Sequence, residues 1–160
     1  MAQIGEKLAT GSLTEMTADG PAKVETADLF AGKKVVLFGV PGAFTPTCHA
    51  NHLPGFLDNI DTFSGKGVDL VGVISVNDVH VMNHWAKATG GEGKIRYFSD
   101  GNGEFVTAAG LDIDLSIAGM GVRSKRFSML VNDGTVELLN IEPNPGQADE
   151  TSAATLLSQM

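Results

Sequence analysis

The chain has 160 residues, 42% of them hydrophobic and 19% charged, which suits one soluble domain over 1–160 with a single ordinary-sized core. Its formal net charge of −8 repels phosphate backbones and anionic lipids, so neither nucleic acid nor a membrane is an expected partner. No stretch approaches the roughly 20 apolar residues of a membrane span.

"MAQIGEKLATGS", at the amino terminus, lacks the apolar centre of a secretion signal, which makes the cytoplasm the expected location. "KKVVLFGV" (33–40) is a short apolar run of the kind that forms a strand buried on both faces of a parallel sheet. "VDLVGVISV" (68–76) reads the same way. Between them, "HANHLPGFLDNIDTF" has helical spacing, with Leu53, Phe56, Leu57 and Ile60 on one face. Pro54 removes a backbone donor, so a kink or restart is expected there. Strand, helix and strand in this order make a βαβ unit.

"DVHVMNHWAKATG" (78–90) predicts a second helix closed by glycine. "KIRYFSD" predicts a short strand and "GEFVTAAG" a short helix. "RFSMLVNDGTVELLNIEP" (126–143) predicts two alternating strands turned at "NDG", and "TSAATLLSQ" (151–159) a final amphipathic helix. The fold class is α/β: a mixed central sheet with helices on both faces and a late antiparallel hairpin.

The chain's single cysteine, Cys48, lies in "PGAFTPTC", just past the carboxyl end of the first buried strand. In α/β sheets this crevice is the usual ligand site. Thr45 followed by Pro46 predicts a helix start, with threonine as the cap and proline at the first helical position. Cys48 then falls in the first turn, near unpaired backbone N–H groups and the positive end of the helix dipole, where a thiolate is favoured. An ordinary thiol is already a few per cent ionised at neutral pH, so ionisation alone raises the reactive fraction only about thirtyfold. Fast chemistry needs further groups to hold substrate and stabilise charge. Thr45 is one, on the same helical face. A cation is another, and "VRSKRFSM" offers Arg123, Lys125 and Arg126. The bland alternative is that Cys48 is a small buried core residue.

Pro41, Thr45 and Cys48 match the Pro-x-x-x-Thr-x-x-Cys pattern of peroxiredoxins. "PGAFTPTCHANHLPGF", "KRFSM" and the "VNDG" hairpin together resemble the type-five branch of that family, over about residues 4 to 141. The resemblance implies a thioredoxin-like fold and a thiol peroxidase acting on hydrogen peroxide and alkyl hydroperoxides, with no metal, flavin or haem. It makes Cys48 the peroxidatic nucleophile. Thr45 would bond peroxide and thiolate, and Pro41 would shield the pocket. Arg126 would orient the peroxide, with Arg123 as runner-up. Backbone groups from Gly42 through Thr47 to Cys48 would complete the oxygen site, with His52 as a pocket residue. Phe44 would belong to an apolar face used in a homodimer.

Some type-five members carry a second cysteine near the carboxyl terminus, which "EPNPGQADETSAATLLSQM" lacks. An internal disulfide is therefore excluded within this sequence, and a sulfenic acid on Cys48 needs an outside thiol: glutathione with glutaredoxin, or thioredoxin.

Other readings compete. Cys48 with His52, and His80 with His84, have the i, i+4 spacing of metal ligands, but the two pairs must first meet in space. A cysteine hydrolase with His49 or His52 as base needs a geometry that neighbours in one helical turn rarely provide. "GGEGKIR" and "DGNGEF" fit no phosphate-loop pattern. Trp85, Phe56 and Phe127 read as core. Outside catalysis, the alternatives are a peroxide sensor or a redox-inactive thioredoxin-like binding protein.

Overall fold

The computed structural model describes residues 1–160. Its strands are β1 (Ser12–Thr17), β2 (Gly20–Glu25), β3 (Lys34–Gly39), β4 (Leu70–Ser75), β5 (Arg96–Ser99), β6 (Asp112–Asp114), β7 (Val122–Ser124), β8 (Phe127–Asn132) and β9 (Thr135–Ile141). Seven of them form one sheet in the order β2-β1-β5-β4-β3-β8-β9, while β6 and β7 pair separately. β3, β4 and β5 are parallel, and the flanking strands are antiparallel, so the sheet is mixed as expected.

The helices are α1 (Thr26–Phe30), α2 (Leu53–Asp58), α3 (Ile60–Gly65), α4 (Val79–Thr89), α5 (Glu104–Ala108) and α6 (Ala153–Gln159). They cover both faces, and β3 shows why its sequence is continuously apolar. Val36 and Phe38 face a core shared with Leu53, Phe56, Met82, Trp85 and Leu156. Val35 and Leu37 face the opposite core, with Phe30, Phe98 and Phe105. A strand between two cores has no polar face to alternate. Helix boundaries follow local chemistry: the Asp78 carboxylate accepts from the N–H groups of His80 and Val81, and Gly90 closes α4 at a φ of 73°. No helix is long and apolar enough to cross a membrane.

One expectation needs correction. β8 does not alternate: Phe127 through Val131 are all buried, because β8 lies between β3 and β9 with a core on each face. The late hairpin is there, turning through Asp133 (φ 48°) and Gly134 (φ 80°), the left-handed pair that a two-residue hairpin turn requires. An early hairpin, β1–β2, was not foreseen. Half of its strand residues are polar, and of the two strands only Leu13 is buried.

One glycine governs how the sheet meets the functional region. Gly39, the last residue of β3, pairs with Phe127, the first of β8. A Cβ at Gly39 would overlap the Phe127 ring. With hydrogen there instead, the ring lies directly over the strand end. Arg126, one residue earlier, is thereby brought beside the chain that leaves β3.

Candidate active site

The chain leaving β3 runs through Val40, Pro41, Gly42 and Ala43, all buried. The Ala43 N–H donates to Asn77 Oδ1 (3.0 Å), and the Ser75 hydroxyl donates to the same oxygen (2.6 Å), so the end of β4 holds this loop. Phe44 then takes a φ of 64°, a left-handed conformation that costs an L-residue roughly 1–2 kcal/mol. The turn reverses the chain into a helix. Its first intrahelical bond runs from His49 N–H to the Thr45 carbonyl (2.9 Å), with Pro46 and Thr47 already helical.

Thr45 therefore starts the helix through its backbone, but its side chain does not cap it. The hydroxyl donates instead to the Gly42 carbonyl (2.6 Å), tying the loop to the helix start. The next turn, Cys48–His52, is a π-helical one closed by a bond from Leu53 N–H to the Cys48 carbonyl. The restart expected at Pro54 thus takes the form of a widened turn just before it, and α2 resumes with Pro54 in its first turn.

Cys48 is fully buried, and its Sγ accepts a hydrogen bond from Arg126 Nη2 at 3.0 Å. Arg126 is itself 2% exposed. Its Nε donates to the Pro145 carbonyl (3.0 Å) and its Nη1 to His52 Nδ1 (3.1 Å). Three of the five guanidinium N–H donors are thus directed to three different partners. A cation with its charge spread over such a fork stabilises an ionised sulfur and any negative oxygen formed beside it.

His52 is buried against the stacked pair Phe38 and Phe56, both of whose rings it meets edge-on. Its Nε2 lies 2.9 Å from the Thr151 carbonyl, which assigns the proton to Nε2 and the lone pair to Nδ1. Burial first, and the Arg126 charge second, lower its pKa from the ordinary 6.5 to about 3, against the raising influence of the Thr151 carbonyl. His52 is neutral at physiological pH. It cannot serve as the base of a cysteine hydrolase, since its only free lone pair is already engaged by Arg126.

A profile of the Redoxin family matches residues 3–157. Over 156 residues the chain is 46% identical to peroxiredoxin-2E-2, chloroplastic, of Oryza sativa subsp. japonica, covering 94% of this chain and 68% of that one. Peroxiredoxin-2C of the same plant is 42% identical over 160 residues, covering 98% and 97%. Among solved structures, reduced Prx3 of Vibrio vulnificus in complex with hydrogen peroxide superposes with a TM-score of 0.94 at 41% identity, covering 99% of both chains. The chain is a peroxiredoxin of the Redoxin family.

As a peroxiredoxin it is a thiol peroxidase with the thioredoxin-like fold, and the remaining residues singled out above can be placed within it. Arg123 does not reach the sulfur: its Nε donates to the Met120 carbonyl and its Nη1 to the Pro41 carbonyl at 3.3 Å. It braces the loop through the Pro41 carbonyl. The Thr47 hydroxyl donates to the Gly146 carbonyl (2.9 Å), pointing to the 142–152 segment rather than to Cys48. Phe44 is 50% exposed and stacks on His49, whose Nδ1 accepts from Trp85 Nε1 at 3.0 Å. Trp85 is thereby linked to the residue next to the thiol.

The peroxiredoxin does not bring its two histidine-bearing pairs together. His80 and His84 are exposed on α4, Cys48 and His52 are buried, and no three His, Cys, Asp or Glu side chains converge as a metal site. Sequence reasoning missed Asn77, Glu142 and Thr151. Nothing in their local pattern distinguishes them from ordinary loop residues, because each acts on the site through a partner far along the chain.

Proposed function

We propose that Cys48 is the peroxidatic nucleophile, attacking hydrogen peroxide or an alkyl hydroperoxide, and that an external thiol restores it. The observation that carries this reading is the 3.0 Å contact between Arg126 Nη2 and the buried Cys48 Sγ. The thiolate attacks the nearer peroxide oxygen, an S–O bond forms, and the O–O bond breaks. Sulfur loses two electrons to the peroxide, giving Cys48–SOH and hydroxide or alkoxide, which takes a proton to leave as water or alcohol. Negative charge builds on the leaving oxygen. Arg126 and backbone N–H groups of the Gly42–Cys48 stretch other than those of Ala43 and Thr45, which are already bonded, are the donors that meet it, with Pro41 excluding water. Thr45 contributes through the geometry of the loop, or by turning its hydroxyl from the Gly42 carbonyl to the peroxide. Likeness to the Vibrio vulnificus Prx3 solved with hydrogen peroxide supports that substrate.

The sequence holds one cysteine, so recycling takes two thiols from outside. The first displaces water from the sulfenic acid to form a mixed disulfide. The second attacks that disulfide and releases Cys48. Glutathione with glutaredoxin, or a thioredoxin, supplies this chemistry. A cytoplasmic setting with its reducing thiol pool belongs to the same reading, and cell fractionation is its check.

Stopped-flow mixing of the reduced protein with one equivalent of hydrogen peroxide, followed through Trp85 fluorescence, tests the nucleophile. We expect a fast change that Cys48→Ser abolishes, ending at one added oxygen by mass spectrometry, and repeated turnover once glutathione and glutaredoxin, or thioredoxin, are added. A rate no higher than that of a free thiol overturns the reading, and a single turnover with every donor makes the protein a sensor.

A second copy of this chain is the partner we assign to the apolar surface at Phe44. Phe44, Ile117 and Val122 are exposed hydrophobic side chains at 50%, 101% and 51%. Arg123 ties the segment carrying Ile117 and Val122 to Pro41, close to Phe44. Sedimentation at micromolar concentration should give a dimer that Phe44→Glu dissociates. A monomeric wild type removes the assignment.

A further inference from the structure

Glu142 and Thr151 are buried, 6% and 0% exposed, and no step of the peroxidase reaction uses them. A carboxylate out of water is costly unless its lone pairs are filled. Those of Glu142 are filled by one short stretch of chain: Oε2 accepts from the Thr151 N–H (3.1 Å) and hydroxyl (2.9 Å), and Oε1 from the Glu150 N–H (3.5 Å). The backbone N–H of Glu142 donates to the Arg126 carbonyl (2.9 Å). The Thr151 carbonyl accepts from His52 Nε2, and His52 Nδ1 accepts from Arg126 Nη1. A circuit of hydrogen bonds therefore leaves Arg126 by its backbone and returns to it by its side chain.

We propose that Glu142 and His52 are positioning residues: the Glu142 carboxylate fixes Thr151, whose carbonyl holds the His52 Nε2 proton, so that Nδ1 turns the Arg126 guanidinium with Nη2 on the Cys48 sulfur. This rests on the peroxidase reading for its consequence, though not for its geometry. The circuit matters because a guanidinium can rotate about its stem. The Pro145 carbonyl on Nε fixes one point, and a second acceptor in the plane is needed to fix the fork. A histidine with its proton on Nδ1, or a charged one, would face Arg126 donor to donor. The Thr151 carbonyl prevents the first, and burial beside Arg126 prevents the second. The Thr47 hydroxyl on the Gly146 carbonyl pins the same strap from the helix side.

The test compares Glu142→Ala with Glu142→Gln. The amide oxygen of glutamine can accept from both Thr151 donors, whereas alanine leaves them unpaired. Two readouts are taken: the second-order rate with hydrogen peroxide, and the pH profile of Cys48 alkylation by iodoacetamide, which needs no peroxide. A misplaced catalytic group costs up to about a hundredfold, and we expect Glu142→Ala to lose about tenfold or more in peroxide rate. Its alkylation profile should move up by roughly one pH unit, the scale of a hydrogen bond to a charged group. Glu142→Gln should recover to within about threefold of wild type, as retained hydrogen bonds predict.

A folded Glu142→Ala with a lower melting temperature but unchanged rate and profile overturns the proposal, since the strap is then only structural. If Glu142→Ala does not fold, the comparison moves to His52. Asparagine keeps an acceptor toward Arg126, while glutamine keeps only the donor toward Thr151. His52→Gln should then be the slower by about tenfold, on the same scale of misplacement, and equal rates overturn the proposal. A wild type that ignores peroxide sinks the peroxidase reading alone, because the alkylation profiles still report where Arg126 is held.

Discussion

Replacing Arg126 by lysine is expected to lower the rate constant with hydrogen peroxide by about a hundredfold to a thousandfold, the cost of removing one donor from an oxyanion site. Charge is kept in this variant, so the loss isolates geometry. The guanidinium sends Nε to Pro145, Nη1 to His52 and Nη2 to Cys48, three partners in one plane. An ammonium on a flexible stem has three donors but no fixed plane, and holds the sulfur only by abandoning the other two. Stopped-flow fluorescence of Trp85 reads the rate, and circular dichroism confirms the fold. A loss below tenfold would remove Arg126 from the role assigned to it.

Acidification is the second large effect, and it acts on stability. His52 titrates at about 3 in the fold against an ordinary 6.5, because burial and Arg126 disfavour its charged form. Between these values the unfolded chain binds a proton at this position and the folded chain does not. Stability is therefore fully present above pH 6.5 and falls as pH is lowered toward 3, by about 1.4 kcal/mol per pH unit from this one group. From pH 6.5 to 5 that is about 2 kcal/mol, a sizeable share of a small domain's stability. Urea unfolding at several pH values in this window, on wild type and His52→Asn, provides the measurement. Other titrating groups contribute to both proteins, so the difference in slope belongs to His52. Equal slopes would show that His52 takes up its proton without leaving its place.

Much of the site was legible locally. β3, the turn after it and the helix carrying Cys48 follow from a valine-rich run, a threonine–proline start and helical spacing, all set within a few residues. The same holds for the Gly90 stop and the Asp133–Gly134 turn, where backbone conformation dictates residue type. The resemblance in "KRFSM" pointed to Arg126 ahead of Arg123, and only Arg126 reaches the sulfur. The β1–β2 hairpin was missed because polar strands at a sheet edge carry little apolar signal. The alternation expected in β8 failed for the opposite reason: a central strand between two cores has none.

By itself, the sequence determined that one thiol stands at the start of a helix beyond a buried strand, on an acidic chain with no second cysteine. Local periodicity and composition are enough for that. Only the tertiary structure decided what surrounds the thiol. Arg126 meets Cys48 across 78 positions because Gly39 lets the Phe127 ring lie over the end of β3. The Thr45 hydroxyl turned to Gly42 rather than to the helix, and Glu142 closed on Thr151 behind the arginine. The arginine contact depends on register and close packing between segments that share no local pattern, and the choice of partner for Thr45 and Glu142 depends on how their loops fold back. That is why no spacing in the chain announces them.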